Sequence, residues 1–298
     1  MKIIIAAGTG FLGKNLEKYF TEKGNQVYIL TRNPKRENEI YWDAKTLGEW
    51  KGVLENADVL INLTGKSVDC RYNEENKKEI YYSRIDSTNV IQQAVDQSVN
   101  KPKVWLNASS ATIYIHSETH LNTEKNGIIG DDFSMNICKS WEKEFFTVKN
   151  ENIRKVALRT SIVLGKNGGA FPKLKLITKL GLGGKQGRGN QKLSWIHIDD
   201  FCKAVDFLIN NENIVGEINI TAPNPLFNED FMRKLRKEMN ISLGLNAPVW
   251  QLEIASIFLR TETELLLKSR NVYPEKILQS GFEFTYPDIE KAFKSLIQ

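Results

Sequence analysis

Ile3-Ile4-Ile5-Ala6-Ala7-Gly8-Thr9-Gly10-Phe11-Leu12-Gly13 decides how the rest of the chain is read. It opens with an apolar run long enough for one buried strand, and glycines then stand at 8, 10 and 13. Lys14-Asn15-Leu16-Glu17-Lys18-Tyr19-Phe20 follows as an amphipathic helix, with Leu12, Leu16, Tyr19 and Phe20 on one face. Strand, tight turn and helix form the setting in which a G-x-G-x-x-G spacing carries chemistry. One glycine makes the sharp turn, a second lets the main chain approach a pyrophosphate, and a third lets the helix pack on the strand. The helix start then offers free N–H groups to phosphates. The alternative is a glycine turn with no ligand, and the flanking strand and helix argue against it.

Beyond this unit the pattern repeats. Gly24-Asn25 stops the helix, and residues 26–30 form a second strand ending at Thr31-Arg32-Asn33-Pro34. Short apolar runs at 40–42, 57–63, 103–108 and 153–158 read as further strands. Helices are expected over 73–97 and 133–148, the second with Ile137, Trp141, Phe145 and Val148 at helical spacing. Strands alternating with helices imply right-handed crossovers and a parallel sheet. Ligands of such sheets bind at the carboxyl ends of strands. The candidate segments all fall there: Gly8 to Gly13, Thr31-Arg32, Leu63-Thr64-Gly65, Ser109-Ser110 and residues 161–165.

The second half is less regular. Residues 181–189 hold five glycines with Lys185 and Arg188, and read as a lid over an anionic substrate or as a plain flexible loop. Asp199 or Asp200 is expected to cap a helix through Leu208, Asn228 a helix to Glu238, and Asp288 a last helix to Ile297. Apolar helical segments are expected at 250–259 and 263–267. The fold class is therefore α/β, a Rossmann-like doubly wound parallel sheet with a smaller, mainly helical C-terminal substrate lobe. The expected division is 1–245 for the nucleotide-binding domain, with substrate-lobe segments interleaved from about 165, and 246–298 for a small C-terminal domain.

Bulk properties narrow the function. The 298 residues suffice for a full core, and 41% hydrophobic with 26% charged residues describes a globular chain. A net charge of +5 is too small and dispersed to argue for nucleic acid. No apolar run approaches the roughly 20 residues of a membrane span, and the N-terminus lacks a signal-peptide pattern. Cys70, Cys138 and Cys202 are far apart and odd in number, which suggests reduced thiols in a cytoplasmic protein. The scattered histidines and cysteines make no metal-ligand pattern.

The glycine turn, Ser109-Ser110-Ala111-Thr112-Ile113-Tyr114 and Trp195-Ile196-His197-Ile198-Asp199-Asp200 resemble the extended short-chain dehydrogenases/reductases, the sugar-nucleotide epimerase and dehydratase group. Asn62-Leu63-Thr64-Gly65-Lys66, Cys138-Lys139-Ser140-Trp141-Glu142 and Leu158-Arg159-Thr160-Ser161 look like one branch of it, the "epimerase family" proteins with a small C-terminal domain of unknown function. The likeness spans essentially the whole chain. The residues themselves point to NADP(H): Arg32 ends the second strand, where an arginine accommodates the extra phosphate and an acid would select NAD. The resemblance agrees, and implies nucleotide contacts at Gly8, Thr9, Gly10, Phe11, Leu12, Gly13, Thr31, Arg32, Leu63, Thr64, Gly65, Glu79, Arg84 and Val163. One departure is Ala7, where extended members carry glycine and where a Cβ disfavours positive φ.

The resemblance also implies a serine that holds a carbonyl oxygen, matched by Ser110, and a Tyr-x-x-x-Lys pair. At the expected place the chain reads Met135 to Lys139, and with the register slipped by one, Ser134 and Cys138. Lysine is present in the first register but tyrosine in neither. Tyr114 is the first substitute as proton donor, with a packed core tyrosine as the alternative, and Lys139 stays a candidate ribose ligand. His197 reads as structural between buried isoleucines, and Tyr19 to Lys23 is a coincidental match. The expected function is an NADP(H)-dependent oxidoreductase or epimerase acting on an unidentified small polar, sugar-nucleotide-like substrate. The alternative is a non-catalytic NADPH-binding sensor. Partners beyond the substrate reduce to a homodimer that the residues neither require nor exclude.

Overall fold

A computed structural model describes residues 1–147, 153–259 and 262–298. Ile3, Ile4 and Ile5 are all fully buried, and this explains why the first strand is a continuous apolar run. Successive side chains of a strand point to opposite faces. Ile3 and Ile5 enter a cluster with Ile29, Ile61, Leu106 and Val205, while Ile4 joins one with Leu30, Leu60 and Trp105. A sheet covered on both faces needs apolar residues at every position.

The elements follow in the order β1 (Lys2–Ala6), α1 (Phe11–Glu22), β2 (Gln26–Thr31), β3 (Glu39–Tyr41), β4 (Val59–Asn62), α2 (Glu74–Gln97), β5 (Val104–Ser110), α3 (Phe133–Thr147), β6 (Arg154–Thr160), β7 (Ile162–Gly165), β8 (Gly168–Gly169), α4 (Phe171–Lys179), β9 (Lys192–Leu193), β10 (Trp195–His197), α5 (Ile198–Asn210), β11 (Gly216–Ile220), β12 (Leu226–Phe227), α6 (Asn228–Glu238), α7 (Val249–Leu259), α8 (Glu264–Leu267), α9 (Glu275–Gln279) and α10 (Ile289–Ile297). Seven strands form one sheet in the order β11-β6-β5-β4-β1-β2-β3, with every neighbouring pair parallel. The order reverses beside β1, so the crevice of the doubly wound sheet opens where the glycine turn leaves that strand. Helix α1 lies against α5, burying Leu16 and Phe20 with Phe201, Val205 and Leu208. A third cluster joins α4, α6 and α10 through Phe171, Phe231, Leu235 and Phe293.

Several expectations are corrected. Helix α5 is capped by His197, whose Nδ1 accepts the Asp199 N–H at 3.1 Å, and not by Asp199 or Asp200. Asp200 is wholly buried and instead accepts the N–H groups of Thr285 and Tyr286, at 2.9 and 2.8 Å. Asp288 occupies the cap position of α10, but its carboxylate accepts from Asn224. Residues 181–189 are no free lid. Gly184 and Gly187 donate to the carbonyls of Leu245 and Ala247, and Leu245 and Ala247 donate back to Gly181 and Lys185. The end of the helix expected at Val148 lies outside the described residues.

Candidate functional site

The strand ends β1, β2, β4 and β5 converge on one edge of the sheet. Ala7 takes φ +57°, the left-handed region that favours glycine, and its N–H reaches the Leu30 carbonyl at 2.9 Å. The turn therefore keeps the family's geometry, and the substitution to alanine is carried as strain rather than as a changed path. Gly13 has no room for a side chain, since a Cβ there would collide with the Gly8 backbone. Helix α1 can thus start directly over the turn, with Gly10 as its cap. Phe11 packs against Gly165 and Gly168, tying the turn to β7 and β8. Val163, in β7, is buried.

At the end of β2, Thr31 is buried and Arg32 exposed, and among the described residues Arg32 has no ion pair. Arg36 is committed elsewhere: its guanidinium pairs with Glu17 at 2.9 Å and Glu39 at 2.7 Å. These hydrogen bonds raise its pKa, Glu17 contributing most. A cleft of about 720 Å³ lies between Thr9, Lys14, Lys18, Thr31 and Lys35. At the end of β4, Thr64 donates its N–H to Asn62 Oδ1 at 3.0 Å, while its buried hydroxyl has no partner among the described residues. Arg84, on α2, lies flat on Gly65, where a Cβ would come within 3.0 Å of its Cζ. Its Nη1 donates to the carbonyls of Lys66 and Ile80, and its plane covers the Trp141 ring at 4.9 Å. Glu79 forms an ion pair with Lys66.

Behind β5 runs a polar network that the sequence did not reveal. Ser109 Oγ donates to Glu142 Oε1 at 2.6 Å, and Arg159 binds the same carboxylate through Nε and Nη2 at 2.8 and 2.7 Å. Arg159 Nη1 donates to the Tyr114 hydroxyl, which donates in turn to Asn219 Oδ1, both at 2.9 Å. Burial pulls the Arg159 guanidinium down, but its hydrogen bonds to Glu142 more than offset this and hold it charged. Tyr114 is fully buried, and burial, outweighing the nearby Arg159, raises its pKa. The hydroxyl has both its hydrogen-bonding roles filled. Its place as proton donor is therefore corrected to that of a structural link between η-turn residues after β5 and the strands β6 and β11.

Ser110 ends β5 opposite Thr160, and its Oγ accepts the Thr112 N–H at 3.2 Å. Across from it, α3 presents Cys138, which packs with Ala111, Ile113, Tyr114 and Val272. Lys139 is half-exposed and has no ion pair among the described residues. Met135 fills the space over Gly130. The slipped register, Ser134 and Cys138, is thus the one that faces the end of β5. Ser134 Oγ donates to Glu264 of α8. Burial pushes the Cys138 thiol up to about 12, so it stays protonated. His197 is buried against Tyr286 at 3.9 Å between ring centres, away from this edge. Among the described residues no three histidine, cysteine or carboxylate side chains group as a metal site, and no helix is long and apolar enough to cross a membrane.

A seven-stranded parallel sheet in this order, with its glycine turn at the switch point and a serine at the end of β5, defines an extended short-chain dehydrogenase/reductase. Residues 3–221 match the NAD dependent epimerase/dehydratase family, and the chain belongs to that family. Residues 247–296 match a domain of unknown function, DUF1731. The epimerase family protein YfhF of Bacillus subtilis is 34% identical over 302 residues, covering 100% of this chain and 98% of that protein. Human epimerase family protein SDR39U1, crystallised with NADPH, is similar with a TM-score of 0.90 at 28% identity, covering 99% of each chain. A UDP-N-acetylglucosamine 4-epimerase from Bacillus cereus shares the fold with a TM-score of 0.77 at 17% identity, over 99% of this chain and 95% of that one.

Proposed function

We propose that this protein is an NADP(H)-dependent oxidoreductase or epimerase of the extended short-chain type, acting on a small polar substrate. The observation that carries the reading is the glycine turn at the switch point with the exposed, unpaired Arg32 at the next strand end. The residues fit the nucleotide. Gly8 to Gly13 leave the turn's backbone open to a pyrophosphate. The orphaned Thr64 hydroxyl, with Leu63 and Gly65, would meet the adenosine side. Thr31 and Arg32, with Lys35 beside them, would take the 2′-phosphate, since Arg36 is already held by two carboxylates. Glu79, Arg84 and Val163 would complete the cradle. The bound nicotinamide supplies the hydride donor or acceptor. Ser110 would hold the substrate oxygen, and Lys139 would reach the cofactor ribose.

A second reading has its own support. The α3 pair facing Ser110 is a serine engaged with Glu264 and a thiol held neutral by burial, neither of which replaces a tyrosine beside a lysine. This favours a protein that binds NADPH without turning it over. Calorimetric titration with NADPH, NADP and NADH, repeated on Arg32→Ala, tests the shared premise. Losing one charged hydrogen-bond partner of the phosphate should weaken NADPH about tenfold to a hundredfold and leave NADH unchanged. Equal losses for both nucleotides would sink the assignment of Arg32. Nucleotide-loaded protein that reduces no carbonyl compound would favour the sensor.

A further inference from the structure

Two guanidinium groups flank the Cys138 thiol from opposite sides, Arg84 from α2 and Arg270 from the segment after α8. Arg84 is spent on carbonyls and on the Trp141 ring, facing the nucleotide side through Gly65. Arg270 is different. Its one described side-chain hydrogen bond is to the Ser269 carbonyl, at 3.2 Å. Its backbone is fixed, the N–H donating to the Lys192 carbonyl and the C=O accepting from Ser194 Oγ, both at 2.8 Å. Burial lowers its pKa, yet an arginine does not give up its proton in a protein.

The charges around it do not cancel. Asp132 and Glu264 are the nearest acids, and neither forms an ion pair with Arg270 among the described residues. Lys268 takes both of them, Met135 N–H donates to Asp132, and Ser134 to Glu264. Arg84, Arg270 and Lys268 therefore face two carboxylates, which leaves one positive charge unmatched. The Tyr72 hydroxyl points into the same space, beside Ser134 and Glu264. It is removed from solvent, makes no hydrogen bond among the described residues, and is held neutral by burial with a pKa of about 12. Its ring is fixed against Phe133 at 5.1 Å. A buried cation and an unused donor side by side are costly unless an anion joins them.

We propose that the substrate carries a carboxylate, received by the Arg270 guanidinium and the Tyr72 hydroxyl, with the reacting carbon toward Ser110. The reading rests on the NADP(H) assignment above. A monoanion matches the single unmatched charge, and the planar guanidinium fork matches a carboxylate. A dianionic phosphate would bring excess charge toward Asp132 and Glu264. The substrate class is then a small oxo or hydroxy acid.

The test is calorimetric titration with oxamate and with its neutral ethyl ester, with and without saturating NADPH, on wild type, Arg270→Gln and Arg270→Lys. Oxamate should bind and the ester should not. Arg270→Gln should weaken oxamate by about tenfold or more, with Arg270→Lys between the two, while both variants bind NADPH as wild type does. That retained binding also reports that they fold. Equal binding of acid and ester, no oxamate binding by wild type, or unchanged oxamate affinity in Arg270→Gln overturns the proposal. Loss of NADPH binding in Arg270→Gln alone reassigns the residue to the cofactor and overturns it too. Wild type that takes oxamate but no NADPH overturns the cofactor reading and keeps the carboxylate site.

Discussion

Ala7 sits in a conformation that costs an L-residue with a Cβ about 1 kcal/mol or more. Glycine at this position should relieve that strain. Ala7→Gly is expected to raise stability by about 1 kcal/mol in urea unfolding, with the nucleotide turn unchanged. The buried Glu142–Arg159 pair sets the opposite case. Glu142→Gln leaves Arg159 buried without its counter-charge and Ser109 without its strongest acceptor. Such a loss costs about 3–5 kcal/mol, so the same unfolding experiment should show a large fall in midpoint. A midpoint within error of wild type would mean that water reaches the guanidinium. Single residues were legible where their type is demanded by local backbone, as at Gly13 or the Asn73 cap of α2, whose Oδ1 accepts the Asn76 N–H. Arg270, Tyr72 and the Glu142 network were not legible, because their partners lie across the fold and nothing in their spacing announces them.

Helix α3 shows why an element can be legible while its facing is not. Both Met135 with Lys139 and Ser134 with Cys138 are four residues apart and lie on adjacent helical faces. Only the packing of Cys138 on the turn after β5 decides between them. The N-terminus of α5 makes the same point. Two aspartates stand where a cap is wanted, yet His197 takes that role and frees Asp200 to hold residues 285 and 286. Asp200→Ala would strand two buried N–H groups. The expected loss is about 2 kcal/mol or more, read as a lower thermal midpoint with earlier proteolysis before α10. Unaltered proteolysis there would show that α10 is held by its apolar cluster alone.

Across the whole molecule, the parallel sheet was legible because alternation of strand and helix permits few other topologies. The small strands β7 to β10 and β12 were harder, since each is two to four residues and depends on long-range pairing. Global stability should also depend on pH through His197. Burial lowers its pKa against the pull of Asp199 and Asp200, so the fold prefers the neutral ring. Between that lowered value and the ordinary 6.5 the unfolded chain binds more protons. The contribution is complete above 6.5 and fades as pH falls through the folded value. Urea midpoints should drop between pH 7.5 and the acid side of this window. His197→Asn, which keeps a capping acceptor, should show a smaller drop, and an equal one would place the effect on other groups.

The strand-like segment at 269–273, clasped to 122 and 192–194 by backbone hydrogen bonds, has a consequence in time. Ribosomes make the nucleotide turn first and Arg270 nearly last, roughly 10–30 s after Ser110 at ordinary elongation rates. A nascent chain therefore owns the cofactor half of its cleft well before the opposite wall exists. Any early-bound nucleotide would wait beside an unfinished pocket, and completion of the cleft becomes one of the last events of the protein's birth.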